Sequence, residues 1–110
     1  MTGQPVSNTA QFGLSGPQLT AIRQIFSHYP DIQSVTLYGS RAMERYRPGS
    51  DIDLVISGTD FSHQQLLQLM NGLDDLMLPF RFDLCRHQDI SNPDLLQHIE
   101  RVGRLFYQKI

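Results

Sequence analysis

Two short stretches of this chain place carboxylates and apolar side chains on opposite faces of what must be strands. Asp51-Ile52-Asp53-Leu54-Val55-Ile56 puts Asp51, Asp53 and Val55 on one side of an extended chain and Ile52, Leu54 and Ile56 on the other. Arg81, Asp83 and Cys85 likewise share a face opposite Phe82 and Leu84. Each strand therefore offers an apolar face to a core and holds acids on the face turned away from it. Asp is disfavoured in strands, so acids recurring there need a reason.

The rest of the sequence supplies helices to cover the apolar faces. Ser15 to Tyr29 carries Leu19, Ile22, Ile25 and Phe26 at helical spacing, with Ser15 or Gly16 as cap, Pro17 in the first turn and Pro30 as stop. Ser34 to Tyr38 is a β-branched, alternating strand ended by Gly39. Ser40 to Tyr46 reads as a short helix and Arg47-Pro48-Gly49-Ser50 as a turn. Phe61 to Met77 is the clearest helix, with a Ser62/Gln65 capping box and Leu66, Leu69, Met70, Leu73 and Leu76 along one face. A third strand is expected over Phe80 to Cys85. Asn92 and Pro93 open a last helix that Gly103 closes as a C′ glycine, and Arg104 to Gln108 reads as a short edge strand. Alternating helices and strands predict an α/β (α+β) fold, a small mixed sheet with helices packed on one side.

With 110 residues, 40% hydrophobic and 18% charged, the chain has the composition of one small globular domain. Residues 1–13 have no period and no apolar run, so they are expected to form a flexible tail without a signal sequence, leaving 14–110 as the domain. No apolar run is long enough to span a membrane. Cys85 is the single cysteine, which excludes an internal disulfide and a cysteine-built zinc site. A cytoplasmic location is the expectation. A net charge of −2 gives no footprint for nucleic acid.

The acids pose an electrostatic problem. Asp51 and Asp53 are about 6–7 Å apart at Cα, and two charges at that separation repel by roughly 2–3 kcal/mol at an effective dielectric near 20. A hard divalent cation offsets this, since Mg²⁺ takes a few carboxylates and keeps its other positions for water and phosphate. Taken alone, Asp-x-Asp is an ordinary pair of exposed turn acids, and Asp83 could be paired with nearby Arg81 or Arg86. Upstream, a strand runs into Gly39-Ser40 and a short helix, where free N–H groups suit a phosphate. Gly39 permits close backbone approach and Ser40 adds a hydroxyl. This is not a Walker-type loop, because Gly-Lys-Ser/Thr is absent.

Spacing joins these signals. Ser40 is followed by ten residues and then Asp51-Ile52-Asp53, with Asp83 between apolar residues on a later strand. The segment 35–56 closely resembles the signature of the DNA polymerase β-like nucleotidyltransferase superfamily, and the chain is similar to the minimal nucleotidyltransferases (MNT domains) of prokaryotes. The resemblance implies nucleotidyl transfer from a nucleoside triphosphate, with ATP as substrate and two Mg²⁺ ions. Gly39 and Ser40 would hold the β- and γ-phosphates. Asp51 and Asp53 would be shared between the ions, and Asp83 would complete the second site and help deprotonate the attacking hydroxyl. Arg41, Arg45 and Arg47 would stabilise the triphosphate. Many relatives carry Gly two residues after the Ala of Gly-Ser-Arg-Ala, where this chain has Glu44.

The same resemblance implies a partner. Minimal nucleotidyltransferases are commonly paired with small helical HEPN-type proteins, and in characterised pairs they act as antitoxins that attach AMP to a tyrosine of that ribonuclease toxin. Too few residues follow Cys85 for an acceptor-binding domain, so the acceptor is expected on another chain or across a homo- or hetero-oligomer. Arg45, Tyr46 and Arg47 are the candidate contacts. The alternatives are a non-catalytic module that silences a helical partner by binding, and a small-molecule nucleotidyltransferase working as a dimer. His28, His63, His87 and His98 have no ligand spacing and read as surface or helix-end residues, and Cys85 as a small buried thiol.

Overall fold

In the computed structural model, which describes residues 10–110, two capping boxes set the main helices. Ser15 Oγ accepts from the Gln18 N–H at 3.2 Å while Gln18 Oε1 accepts from the Ser15 N–H at 2.9 Å, opening α1 (Gly16–Ser27). Ser62 and Gln65 repeat the exchange at 3.0 and 2.8 Å, opening α3 (His63–Asp74). Between them lie β1 (Ser34–Tyr38), a single helical turn α2 (Gly39–Ala42) and β2 (Ile52–Ser57). After α3 come β3 (Phe82–Arg86), a 3-10 turn over His87–Asp89, α4 (Pro93–Val102) and β4 (Arg104–Gln108).

The four strands form one mixed sheet in the order β3-β2-β1-β4. β1 is antiparallel to both β2 and β4, while β2 and β3 are parallel, which requires a crossover supplied by α3. The two longest helices, α1 and α3, pack together on one side of the sheet, as expected. Leu19, Ile22 and Phe26 of α1 and Leu66, Leu69 and Leu73 of α3 are buried with Val35, Leu37, Ile52, Leu54, Ile56, Leu84 and Phe106 of the sheet. Fully burying one such side chain contributes about 1.5–3 kcal/mol. α4 touches the sheet at β1 from the other face, where His98 stands edge-on to the Tyr38 ring at 6.3 Å.

Several boundaries differ from the sequence expectation. α3 ends at Asp74 rather than Met77, and Met77 adopts a left-handed φ of 56° in the turn that follows, ahead of Pro79. Met70, expected in the core, is partly exposed on the outer side of α3. α2 stops at Ala42 instead of Tyr46. The third strand runs from Phe82 to Arg86. Gly103 does end α4, but in extended conformation (φ −60°, ψ 141°) and not as a left-handed cap. Its lack of a side chain matters for a different reason: a β-carbon there would run into the Ile99 carbonyl and lie 2.8 Å from Thr36 Cγ2.

The expected tail boundary also shifts. Residues 1–9 lie outside the described residues. Within the described part, Gln11 and Leu14 exchange backbone hydrogen bonds of 3.0 and 2.9 Å around Phe12 and Gly13. Phe12 is buried in the core against the Phe106 ring, with centroids 6.0 Å apart. The packed domain therefore begins before residue 14.

Candidate active site

Strand register assembles the site. Tyr38 pairs with Asp53 across β1 and β2, and Asp53 pairs with Asp83 across β2 and β3. Tyr38, Asp53 and Asp83 thus form one row across three strands, on the sheet face away from the α1–α3 core, with neighbouring strands about 4.8 Å apart. Asp51 precedes β2 at its entry, where the Ile52 N–H donates to the Arg81 carbonyl at 2.8 Å. Asp53 is half-buried, whereas Asp51 and Asp83 are exposed.

The three carboxylates interact through space. Burial raises the pKa of Asp53 above the ordinary carboxyl value, the charges of Asp83 and Asp51 raise it further, and Arg41 partly opposes them. Among the described residues, Asp51, Asp53 and Asp83 have no salt bridge. Arg86, a possible partner of Asp83 from sequence, instead binds Asp89 at 2.8 Å and donates to the Phe61 carbonyl at 3.0 Å.

The turn before α2 fits against this row. Gly39 has φ +75°, a region that favours glycine, and a β-carbon on it would collide with the Asp53 carboxylate. Ser40 follows in the first turn of α2 and is half-buried. α2 closes with a Schellman motif: Arg45 N–H donates to the Ser40 carbonyl at 2.9 Å, and Glu44 N–H to the Arg41 carbonyl at 3.3 Å. Glu44 is the left-handed residue of that motif, with φ 58°. It occupies a position that glycine fills without strain.

The three arginines separate. Arg41 is 1% exposed. Its Nε and Nη2 both donate to the Ser50 carbonyl, at 3.1 and 2.8 Å, and its Nη1 donates to the Phe12 carbonyl at 2.8 Å. The guanidinium lies 4.9 Å from the Phe80 ring centroid and 5.2 Å from that of Tyr46. The expectation that Arg41 reaches a phosphate is corrected accordingly: its donors face inward to backbone carbonyls. Arg45 and Arg47 are exposed on the loop beyond α2, beside Tyr46, and have no side-chain hydrogen bond among the described residues.

The sequence did not place Tyr38 and His98 at the site. Tyr38 lies on the site face, and burial, followed by the influence of Cys85, Asp83 and Asp53, pushes its phenol pKa well above the ordinary value. Cys85, expected as a buried thiol, is only half-buried, and burial raises its pKa. His98 packs on Tyr38 from α4. Tyr38 and Asp53 alternate correctly on their own strands, but only the register shows that they are neighbours.

The donor set fits a hard divalent cation bound with a phosphate. All three side chains present oxygen only, and among the described residues no cation forms an ion pair with them. Among the described residues no group of three or more His, Cys, Asp or Glu side chains is already gathered into a cage. Mg²⁺ does not need one, because it usually takes one or two carboxylates and completes its octahedron with water and substrate phosphates.

A mixed sheet with a Gly-Ser turn abutting paired strand carboxylates defines a nucleotidyltransferase of the polymerase β type. Residues 20–109 match the family described as polymerase beta, nucleotidyltransferase, and the chain belongs to that family. A candidate protein adenylyltransferase of Methanocaldococcus jannaschii is 33% identical over 79 residues, covering 71% of this chain and 80% of the relative. Among solved structures, a toxin–antitoxin complex with AMP-PNP superposes with TM-score 0.68 at 20% identity, over 83% of this chain and 73% of that one. The tri-AMPylated HEPN toxin of Shewanella oneidensis in complex with its MNT antitoxin gives 0.61 at 19% identity, over 83% and 70%. At these identities the structural likenesses establish the fold. No helix among the described residues is long and apolar enough to cross a membrane.

Proposed function

We propose that this nucleotidyltransferase transfers AMP from ATP to a tyrosine hydroxyl of a helical HEPN-type partner, acting as the antitoxin of the pair. The observation that carries the reading is the in-register Asp53–Asp83 pair with Gly39 against it. That juxtaposition sets a turn able to accommodate phosphate beside carboxylates paired across neighbouring strands. The named relatives point to the acceptor class: a candidate protein adenylyltransferase, and an AMPylated HEPN toxin bound to its MNT antitoxin.

In this reading the Gly39–Ser40 turn seats the triphosphate, and Asp51 and Asp53 hold Mg²⁺ against it, with Asp83 completing the second of two sites. When bound, two such ions stabilise the attacking and leaving oxygens of an in-line displacement. The acceptor oxygen forms a bond to the α-phosphorus, pyrophosphate leaves, and Asp83 accepts the proton of the attacking hydroxyl. Arg45, Tyr46 and Arg47 are exposed at the rim, where a docked partner would meet them. Such docking supplies orientation, which carries much of the rate in phosphoryl-type transfers.

The test is isotopic. The chain is incubated with Mg²⁺ and ATP labelled at either the α- or the γ-phosphate, with and without a HEPN-type partner protein. The reading predicts α-label on the partner and none from the γ-position. Label from the γ-position marks phosphoryl transfer instead. A stable complex without label favours silencing by binding, and partner-free labelling of a small molecule favours a small-molecule enzyme.

A further inference from the structure

We propose that residues 11–14 are a positioning strap of the active site, acting through Arg41 on the backbone that carries Asp51. The inference rests on the reading of the carboxylates as the metal–triphosphate site. The observations concern one buried guanidinium. Arg41 leaves α2 directly after Ser40 and reaches two carbonyls on separate segments, Phe12 and Ser50. Ser50 immediately precedes Asp51, so the residue beside the phosphate turn also holds the peptide that delivers the first carboxylate.

Three features make the strap specific. The first is geometric: a planar fork with two nitrogens on one carbonyl and a third on another is something guanidinium can do and ammonium cannot. The second is enclosure, since the Phe80 and Tyr46 rings bracket the group and exclude competing water. The third is Gly13. Its φ is +78°, and a β-carbon there would lie 2.6 Å from both Arg41 Nη1 and Tyr46 Cε2. The turn at Phe12 and Gly13 is therefore shaped to the guanidinium, and Phe12 itself anchors in the core. Arg41 is a positioning residue: it contacts neither carboxylate nor phosphate, and holds the segments that do.

The experiment measures Mn²⁺–ATP affinity by calorimetry on the full chain, without any acceptor. Arg41→Lys keeps the charge and loses the fork, whereas Gly13→Ala pushes on the guanidinium from outside the site. Each is expected to weaken Mn²⁺–ATP about 5- to 10-fold. The double variant should be no more than about twofold weaker than either single, because both remove one tether and such pairs are non-additive. Ile22→Val, a core change in α1 remote from the site, serves as the control and should leave affinity unchanged. Should Arg41→Lys fail to fold, Gly13→Ala decides. Unchanged affinity in the folded variants, or losses that multiply in the double variant, overturns the strap alone. A wild-type chain that does not bind Mn²⁺–ATP overturns the site reading and the strap with it.

Discussion

Gly39 lies so close to Asp53 that the place of its missing β-carbon is taken by the Asp53 carboxylate. The residue that lets the turn before α2 form is thereby also the residue that leaves room for the central acid. Gly39→Ala brings a collision and a left-handed φ on a residue that resists it, a strain of about 1–3 kcal/mol. The variant should melt several degrees lower and lose metal-dependent ATP binding. Thermal denaturation and calorimetry check both, and a variant with native affinity would show that the turn does not touch the site.

Glu44 offers the opposite case. It holds the left-handed position of the Schellman motif with φ 58°, where a non-glycine residue costs about 1–2 kcal/mol. Glu44→Gly should therefore raise stability by about 1 kcal/mol, less the added freedom of the unfolded chain. Urea unfolding with an unchanged slope is the measurement. A destabilised variant would mean that the Glu44 side chain makes a compensating contact.

Asp53 links stability to pH. Its folded-state pKa is raised, first by burial and then by Asp83 and Asp51. Between the unfolded and folded values the native state binds more protons, so the metal-free protein loses stability as pH rises through that window. Asp53→Asn should thus melt higher than wild type near neutral pH, with the gap closing in acid where the wild-type carboxyl is protonated. Solvent screening keeps the effect small at a half-exposed group. Melting curves at two pH values test the sign, and a variant less stable at neutral pH contradicts it.

The site and its supports were not equally legible in the sequence. Alternation alone places Asp51 and Asp53 opposite Ile52 and Leu54, because strand side chains obey a period of two. The parallel pairing that sets Asp53 beside Asp83 depends on the α3 crossover, and no local pattern reports it. Arg41 looked like a phosphate ligand because its neighbours in sequence are Gly39 and Ser40. Its true partners, the Phe12 and Ser50 carbonyls, are 29 and 9 residues away. Phe12 was missed because a lone aromatic in a polar segment has no period. Glu44, by contrast, was recognisable as a glycine position occupied by another residue, and its positive φ follows.

Under the proposed function, the acids divide binding from chemistry. Asp51→Asn should weaken Mn²⁺–ATP binding strongly. Asp83→Asn should bind nearly as wild type and lose turnover by about 10²-fold or more, the scale of a lost transition-state interaction. Paired calorimetry and single-turnover rates distinguish them. Full turnover by Asp83→Asn would remove Asp83 from the attacking side.

The most direct test of the central claim is the intact mass of a HEPN-type partner protein after incubation with this chain, ATP and Mg²⁺. The account predicts a mass increase of one or more AMP groups, mapped to tyrosine, that disappears with a chelator and with Asp53→Asn. An unmodified partner recovered from a stable complex with the wild-type chain would contradict it.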